Sequence, residues 1–132
     1  MSRGYLIDTH CWLWWNAAPE RLSPEAREIV ADPSNEIMLS AASAWEIAIK
    51  HALGKLRLPE APATYVESRL LLNRMTGLPI HLRHALHAGE LPPHHRDPFD
   101  RMIIAQARVE ALTVITADEV FRRYEVDLIW SG

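Results

Sequence analysis

The sequence has one cysteine, Cys11, and no apolar run that approaches the roughly 18 residues of a membrane span. A single cysteine excludes an intrachain disulfide, and together these absences predict a cytoplasmic protein without a membrane segment. An excess of positive charge is also missing. The formal net charge is −3 and the pI is near 6.1, whereas domains that hold nucleic acid through bulk charge usually have a pI above about 9. Any contact with nucleic acid must therefore be local.

The order of predicted elements indicates an α/β fold. A chain of 132 residues with 48% hydrophobic content is sufficient for one domain with a full core, so we expect a single domain over residues 1–132. Helical and strand-like patterns alternate, which predicts a parallel sheet flanked by helices. The strand-like segments are 5–7, 36–40, 77–81, 112–116 and 128–130, and the helical ones are 24–31, 43–53, 63–75, 83–88, 97–111 and 119–123.

Four carboxylates lie where apolar segments give way to polar ones: Asp8, Glu46, Asp100 and Asp118. An acid that follows a buried strand lies at the carboxyl end of that strand, where open parallel sheets bind their ligands. If the four side chains converge, their negative charge needs a counter-ion. Oxygen ligands at that density favour hard divalent cations, Mg²⁺ or Mn²⁺, which commonly handle phosphates.

Each acid also has a purely structural interpretation. Asp is a favoured helix N-cap, and all four acids lie at or near the start of a predicted helix. Asp97 is best explained as an N-cap with Pro98 in the first turn, which leaves Asp100 at the third helical position. Glu46 stands four residues before Lys50, a spacing typical of an ion pair on a solvated helix face.

Several motifs together resemble the PIN-domain nucleases, specifically the VapC-type toxins of bacterial toxin–antitoxin pairs. They are Asp8-Thr9, Ser43-Ala-Trp-Glu46-Ile, Asp97-Pro-Phe-Asp100-Arg-Met-Ile-Ile-Ala-Gln-Ala and Thr116-Ala-Asp118-Glu-Val-Phe.

The resemblance implies a three-layer α/β/α PIN-like domain with a central, mostly parallel sheet. It implies an endoribonuclease that depends on Mg²⁺ or Mn²⁺, with Asp8, Glu46, Asp100 and Asp118 as catalytic metal ligands and Thr116 as a polar neighbour. His10 stands where many members of the family have Asn. The implied partners are an RNA substrate, a second copy of the chain in a homodimer, and a cognate antitoxin whose basic side chain would compete with the metal.

Other interpretations remain open at this stage. Asp8 could serve as a phosphoaspartyl nucleophile, although position 10, where such phosphatases have a second acid, is His10. The chain could also be a catalytically silent PIN-like module that binds RNA or protein. A zinc site is permitted by the three-residue spacing of His81, His84 and His87 and by the pair His94-His95, but helical zinc sites usually use i, i+4 pairs or cysteine.

Aromatic and basic side chains carry further possibilities. Trp12, Trp14 and Trp15 could stack on bases or receive a partner helix, although tryptophans in a small domain are more often core residues. Candidate walls for an antitoxin groove are Trp12, Trp15 and Trp45. Three cations could steer phosphate or form structural ion pairs: Lys50, Arg101 and Arg108.

Overall fold

A computed structural model describes residues 4–132, which form five strands, six α-helices and two 3₁₀ segments. The strands are β1 (Gly4–Ile7), β2 (Glu36–Ser40), β3 (Thr76–Leu78), β4 (Thr113–Thr116) and β5 (Leu128–Trp130). The helices are α1 (Thr9–Ala17), α2 (Pro24–Ala31), α3 (Ala41–Ala52), α4 (Pro62–Leu72), α5 (Leu82–Glu90) and α6 (Pro98–Glu110), and the 3₁₀ segments are Pro19–Arg21 and Glu119–Arg123.

The five strands form one sheet in the order β3-β2-β1-β4-β5, and every pair in it is parallel. β1 is the central strand, with Leu6 opposite Met38 of β2 and Val114 of β4. Parallel strands point the same way, so all their carboxyl ends meet at one edge of the sheet. Both outer strands are three residues long, which limits the exposed edge available for pairing with other chains.

Successive residues of β1 enter two different hydrophobic cores. Tyr5 and Ile7 pack with side chains of α1, α2, α3 and α4 on one face. Leu6 packs on the other face with α6, including Ile103 and Ile104. Side chains alternate across a strand, so a strand that is apolar at every position must be covered on both faces. The predicted three-layer α/β/α architecture is confirmed.

The structure changes several details of the predicted elements. β3 begins and ends earlier than the predicted 77–81, and the segment predicted as a helix near residues 119–123 is a 3₁₀ turn. α3 begins at Ala41, because the Ser40 hydroxyl accepts a hydrogen bond from the Ala42 amide at 3.0 Å and caps the helix. Trp45 lies on this helix and is 62% exposed.

Within residues 4–132, no helix is both long and apolar enough to cross a membrane.

The start of α6 is fixed by Asp97, as the sequence predicted. One carboxylate oxygen of Asp97 accepts hydrogen bonds from the amides of Phe99 at 2.9 Å and Asp100 at 3.3 Å. Pro98 occupies the first turn, where its missing N–H leaves no bond unmade. These contacts orient the turn of α6 that carries Asp100.

We therefore predict that Asp97→Ala lowers the free energy of unfolding by about 1 kcal/mol, because two amides at the start of α6 lose their acceptor. Asp97→Asn is the matched control. It retains a side-chain oxygen and should cost less than the alanine variant. Urea denaturation of both variants measures the difference, and equal losses would show that Asp97 contributes through its charge and not as a cap.

Candidate active site

Asp8 is held rigidly at the end of the central strand. Its backbone amide donates to the Ile115 carbonyl at 3.0 Å and so continues the ladder between β1 and β4. One carboxylate oxygen accepts the Cys11 amide at 2.8 Å and caps α1, while the other accepts the Thr116 hydroxyl. The side chain is therefore both an N-cap and a candidate ligand. The two interpretations of this acid do not compete.

Burial dominates the acidity of Asp8. The residue is 4% exposed, and burial raises the pKa of its carboxyl above the ordinary value, against the opposing effects of the bonds from Thr116 and Cys11. With both oxygens occupied by protein donors, Asp8 is a poor candidate for a phosphoaspartyl nucleophile. His10, in the position where such an enzyme has its second acid, is exposed.

Thr116 connects Asp8 to the fourth predicted acid. Besides donating to Asp8, its hydroxyl oxygen accepts the backbone amide of Asp118 at 3.0 Å. The Asp118 carboxylate in turn accepts the Val120 amide at 3.0 Å and caps the 3₁₀ segment. Asp118 is exposed. It therefore lies at the solvent rim of the edge at which Asp8 is buried.

Glu46 occupies an unexpected environment on α3. The sequence suggested an ion pair with Lys50 on a solvated face, and the pair exists at 2.7 Å. The expectation of a solvated face was wrong, because Glu46 is only 4% exposed. The first turn of α3 is also tied to α1, since the Thr9 hydroxyl donates to the Ser43 hydroxyl at 2.9 Å. This contact keeps the start of α3 beside Asp8.

The acidity of Asp100 shows that the predicted acids share one electrostatic environment. Its pKa is raised to about 8, first because burial removes the carboxyl from water, and then because neighbouring carboxylates repel its charge. Those neighbours are Asp97, Asp118, Glu46 and Asp8. The fold therefore brings Asp8, Glu46 and Asp118 close enough to Asp100 to raise its pKa.

The side chains are nevertheless not drawn together around a common point. Within residues 4–132, no group of three or more His, Cys, Asp or Glu side chains is arranged to hold a metal ion. The local contacts explain this arrangement. Asp8 uses both oxygens for protein donors, and Glu46 is turned toward the Lys50 ammonium.

The histidines and Arg101 have structural contacts that the sequence did not reveal. His84 is fully buried; its Nδ1 accepts the His81 amide at 3.0 Å, and its Nε2 lies 2.7 Å from Glu110, so this ring is committed to local bonds and not to zinc. The Arg101 guanidinium binds backbone carbonyls that precede α6 and is not directed toward a phosphate. These carbonyls include those of Ala88, Leu91 and Pro92.

His95 was considered only for zinc in the sequence analysis and was not associated with the acids. The His95 Nε2 atom lies 3.6 Å from an Asp100 carboxylate oxygen, while its Nδ1 lies 2.8 Å from the Tyr124 hydroxyl. The available signal was its position two residues before Asp97, in a loop that must lead into the helix of Asp100. Tyr124 lies 29 residues further along the chain, so no local pattern could link the two.

A comparison with protein families identifies the class to which this fold belongs. The family model described as "PIN domain" matches residues 5–127. The chain belongs to the PIN domain family. Among curated proteins, Ribonuclease VapC16 of Mycobacterium tuberculosis is 52% identical over 61 residues, which cover 46% of this chain and 42% of that protein. Ribonuclease VapC22 of the same organism is 28% identical over 120 residues, covering 90% of both chains.

Solved structures share the fold. VapBC2 from Rickettsia felis, in a crystal structure bound to a DNA fragment from its promoter, matches with a TM-score of 0.73 and 19% identity over 98% of this chain and 99% of that chain. DNA-bound VapBC from Salmonella typhimurium matches with a TM-score of 0.70 and 20% identity, covering 96% and 97%.

The raised pKa of Asp100 predicts how the stability of the metal-free protein depends on pH. An unfolded Asp ionises near pH 3.8, whereas folded Asp100 keeps its proton to about pH 8. Between these values the unfolded state binds fewer protons, so the free energy of unfolding falls as pH rises, by up to about 1.4 kcal/mol per pH unit for this group. Asp8 contributes in the same direction.

Thermal melts in EDTA should therefore show a lower Tm at pH 8 than at pH 5, and Asp100→Asn should reduce this difference and melt higher than the wild type at pH 8. Asp127→Asn, at an exposed position, is the matched control and should melt like the wild type. If Asp100→Asn keeps the full pH dependence, Asp100 does not titrate as the site requires.

Proposed function

We propose that this chain is an endoribonuclease that depends on Mg²⁺ or Mn²⁺ and acts as the toxin of a toxin–antitoxin pair. The observation that carries the proposal is that Asp8, Glu46 and Asp118 lie close enough to Asp100 to raise its pKa. Relatives named as ribonucleases and structural neighbours named as VapBC complexes support the substrate class and the partner.

The residues present fit a hard divalent cation. All four candidate ligands offer carboxylate oxygens, which Mg²⁺ and Mn²⁺ prefer over softer metals. A cation would also offset the burial and the repulsion from neighbouring carboxylates, which together raise the pKa of Asp100. When bound, it supplies charge for a scissile phosphate and lowers the pKa of an attacking water.

The protein side chains have separable tasks in this proposal. Asp8 is a fixed ligand, because the Cys11 amide and the Thr116 hydroxyl orient both of its oxygens. Glu46 would contribute its second carboxylate oxygen, because only one of the two is paired with the Lys50 ammonium, and Lys50 places a positive charge beside the site. Asp118 would hold the metal from the exposed rim of the same edge. Hydrolysis should leave a 5′-phosphate and a 3′-hydroxyl.

The surface proposed for the antitoxin must be revised from the sequence-based expectation. Trp12 is fully buried and cannot line a groove, and the Trp15 indole N–H is bonded to Asn73 at 3.2 Å. An apolar groove of about 310 Å³ lies instead beside Trp14. Its other apolar walls include Leu13, Leu56, Leu58 and Tyr65. We assign the antitoxin to this groove; the homodimer stays a prediction.

We predict that Asp8→Asn and Asp100→Asn each abolish RNA cleavage in Mg²⁺ or Mn²⁺, because each replaces a charged ligand by a neutral one of the same size. Glu46→Gln should be comparably damaging, and EDTA should abolish the activity of the wild type. The measurement is cleavage of a labelled RNA, with circular dichroism as the test of folding. Asp127→Asn serves as the active control.

The same variants separate the alternatives. Millimolar Mn²⁺ should raise the Tm of the wild type at pH 7 by mass action, and this rise should vanish in Asp8→Asn. RNA binding without cleavage or metal stabilisation would identify a catalytically silent binding module and reject the nuclease.

The proposed antitoxin partner can be tested by growth. Expressed alone, the wild-type chain should arrest growth and Asp8→Asn should not, whereas co-expression of the cognate antitoxin should restore growth. Trp14→Ala should stay toxic but escape neutralisation, because it removes a wall of the groove. Leu71→Ala, at an exposed position on α4, is the control that should still be neutralised. A Trp14→Ala chain that is fully neutralised would place the antitoxin elsewhere.

A further inference from the structure

His95 combines a firmly held ring with an unpaired nitrogen beside a candidate metal ligand. Its Nδ1 lies 2.8 Å from the Tyr124 hydroxyl, and its Nε2 lies 3.6 Å from the nearer Asp100 carboxylate oxygen. Nε2 is shielded from solvent and has no hydrogen-bond partner among residues 4–132. A buried polar atom without a partner destabilises the fold, so its retention needs an explanation.

Arg101 holds the loop that carries His95 through several backbone carbonyls. Arg101, one residue after Asp100, donates to the backbone carbonyls of Ala88 at 2.9 Å, Leu91 at 3.0 Å and Pro92 at 3.0 Å. The same guanidinium also lies 3.4 Å from the His95 carbonyl. The helix that holds Asp100 therefore holds the loop of His95 as well, and the two side chains face each other in a defined geometry.

The hydrogen bonds of the Tyr124 hydroxyl determine which nitrogen of the His95 ring carries the hydrogen. The Tyr124 hydroxyl oxygen accepts from Arg101 at 3.5 Å, which leaves its own hydrogen for Nδ1 of His95. A neutral imidazole that accepts at Nδ1 carries its hydrogen on Nε2. Nε2 is therefore a donor directed toward Asp100. The distance of 3.6 Å between Nε2 and the Asp100 oxygen is longer than the usual 2.7–3.2 Å of a hydrogen bond, so a small movement of the side chains is needed to form the bond.

We propose that His95, oriented by Tyr124, is a positioning residue that donates a hydrogen bond from Nε2 to Asp100 and holds this carboxylate in place as a metal ligand. The proposal rests on the metal site of the proposed function and adds a residue to it. A metal-bound carboxylate has a free lone pair for Nε2, and such supporting bonds typically change metal affinity 10- to 100-fold.

The test is Mn²⁺ binding to the full chain at pH 7.5, measured by isothermal titration calorimetry without RNA. His95→Leu should raise the Kd by a factor of about 10 to 100. His95→Gln places an amide donor near the position of Nε2 and should stay within about threefold of the wild type. The matched control is His94→Leu, since His94 packs against the ring of Tyr124 with the centroids 4.9 Å apart. It should bind Mn²⁺ as the wild type does.

A double-mutant cycle tests the role of Tyr124. Tyr124→Phe keeps the ring and removes the hydroxyl, so it should weaken Mn²⁺ binding in the wild-type background and have no further effect in His95→Leu. Melting curves in EDTA check folding. If His95→Leu does not fold, the comparison of His95→Gln with Tyr124→Phe still decides the matter.

The outcomes distinguish this proposal from the one on which it rests. If the wild type binds Mn²⁺ and His95→Leu binds it equally well, the positioning role is rejected while the metal site stands. Equal losses in His95→Leu and His95→Gln would also reject the hydrogen bond. If the wild type binds no Mn²⁺, the metal site and the role of His95 both fail.

Discussion

The burial of the Asp8 carboxylate at the end of the central strand is the constraint on which the rest of the structure depends. β1 is covered on both faces, so the acid that follows it has little access to water. The fold compensates with two donors, the Cys11 amide and the Thr116 hydroxyl. These two bonds connect the end of β1 to α1 and β4, and they fix the orientation of the Asp8 side chain.

The other carboxylates follow from the topology of the sheet. α3 begins directly after β2, and α6 leads into β4 through Ala111, so both helices place their first turns at the carboxyl edge. Glu46 and Asp100 are therefore brought toward Asp8 by connections that any parallel sheet requires. Their charges are balanced in different ways, by Lys50 for Glu46 and by a retained proton for Asp100. A divalent cation would replace both.

The sequence was informative wherever one residue determines its own local structure. Asp97 was correctly predicted as a helix N-cap, and the alternation of helical and strand-like segments correctly predicted a parallel sheet flanked by helices. Properties that depend on distant residues were not accessible. The burial of Glu46 and the exposure of Trp45 depend on how α3 lies against α6. Between these helices, the ring centroids of Trp45 and Phe99 are 5.4 Å apart. The contact between His95 and Tyr124 likewise requires the complete fold.

The central claim is that four carboxylates from separate elements bind one metal centre, and diffraction from crystals grown with Mn²⁺ tests it most directly. Anomalous difference maps locate manganese independently of any refined side chain. The account predicts a peak at the carboxyl edge of the sheet, within about 2.0–2.6 Å of oxygens of Asp8 and Asp100. A manganese peak elsewhere, or no peak at saturating Mn²⁺, would contradict it.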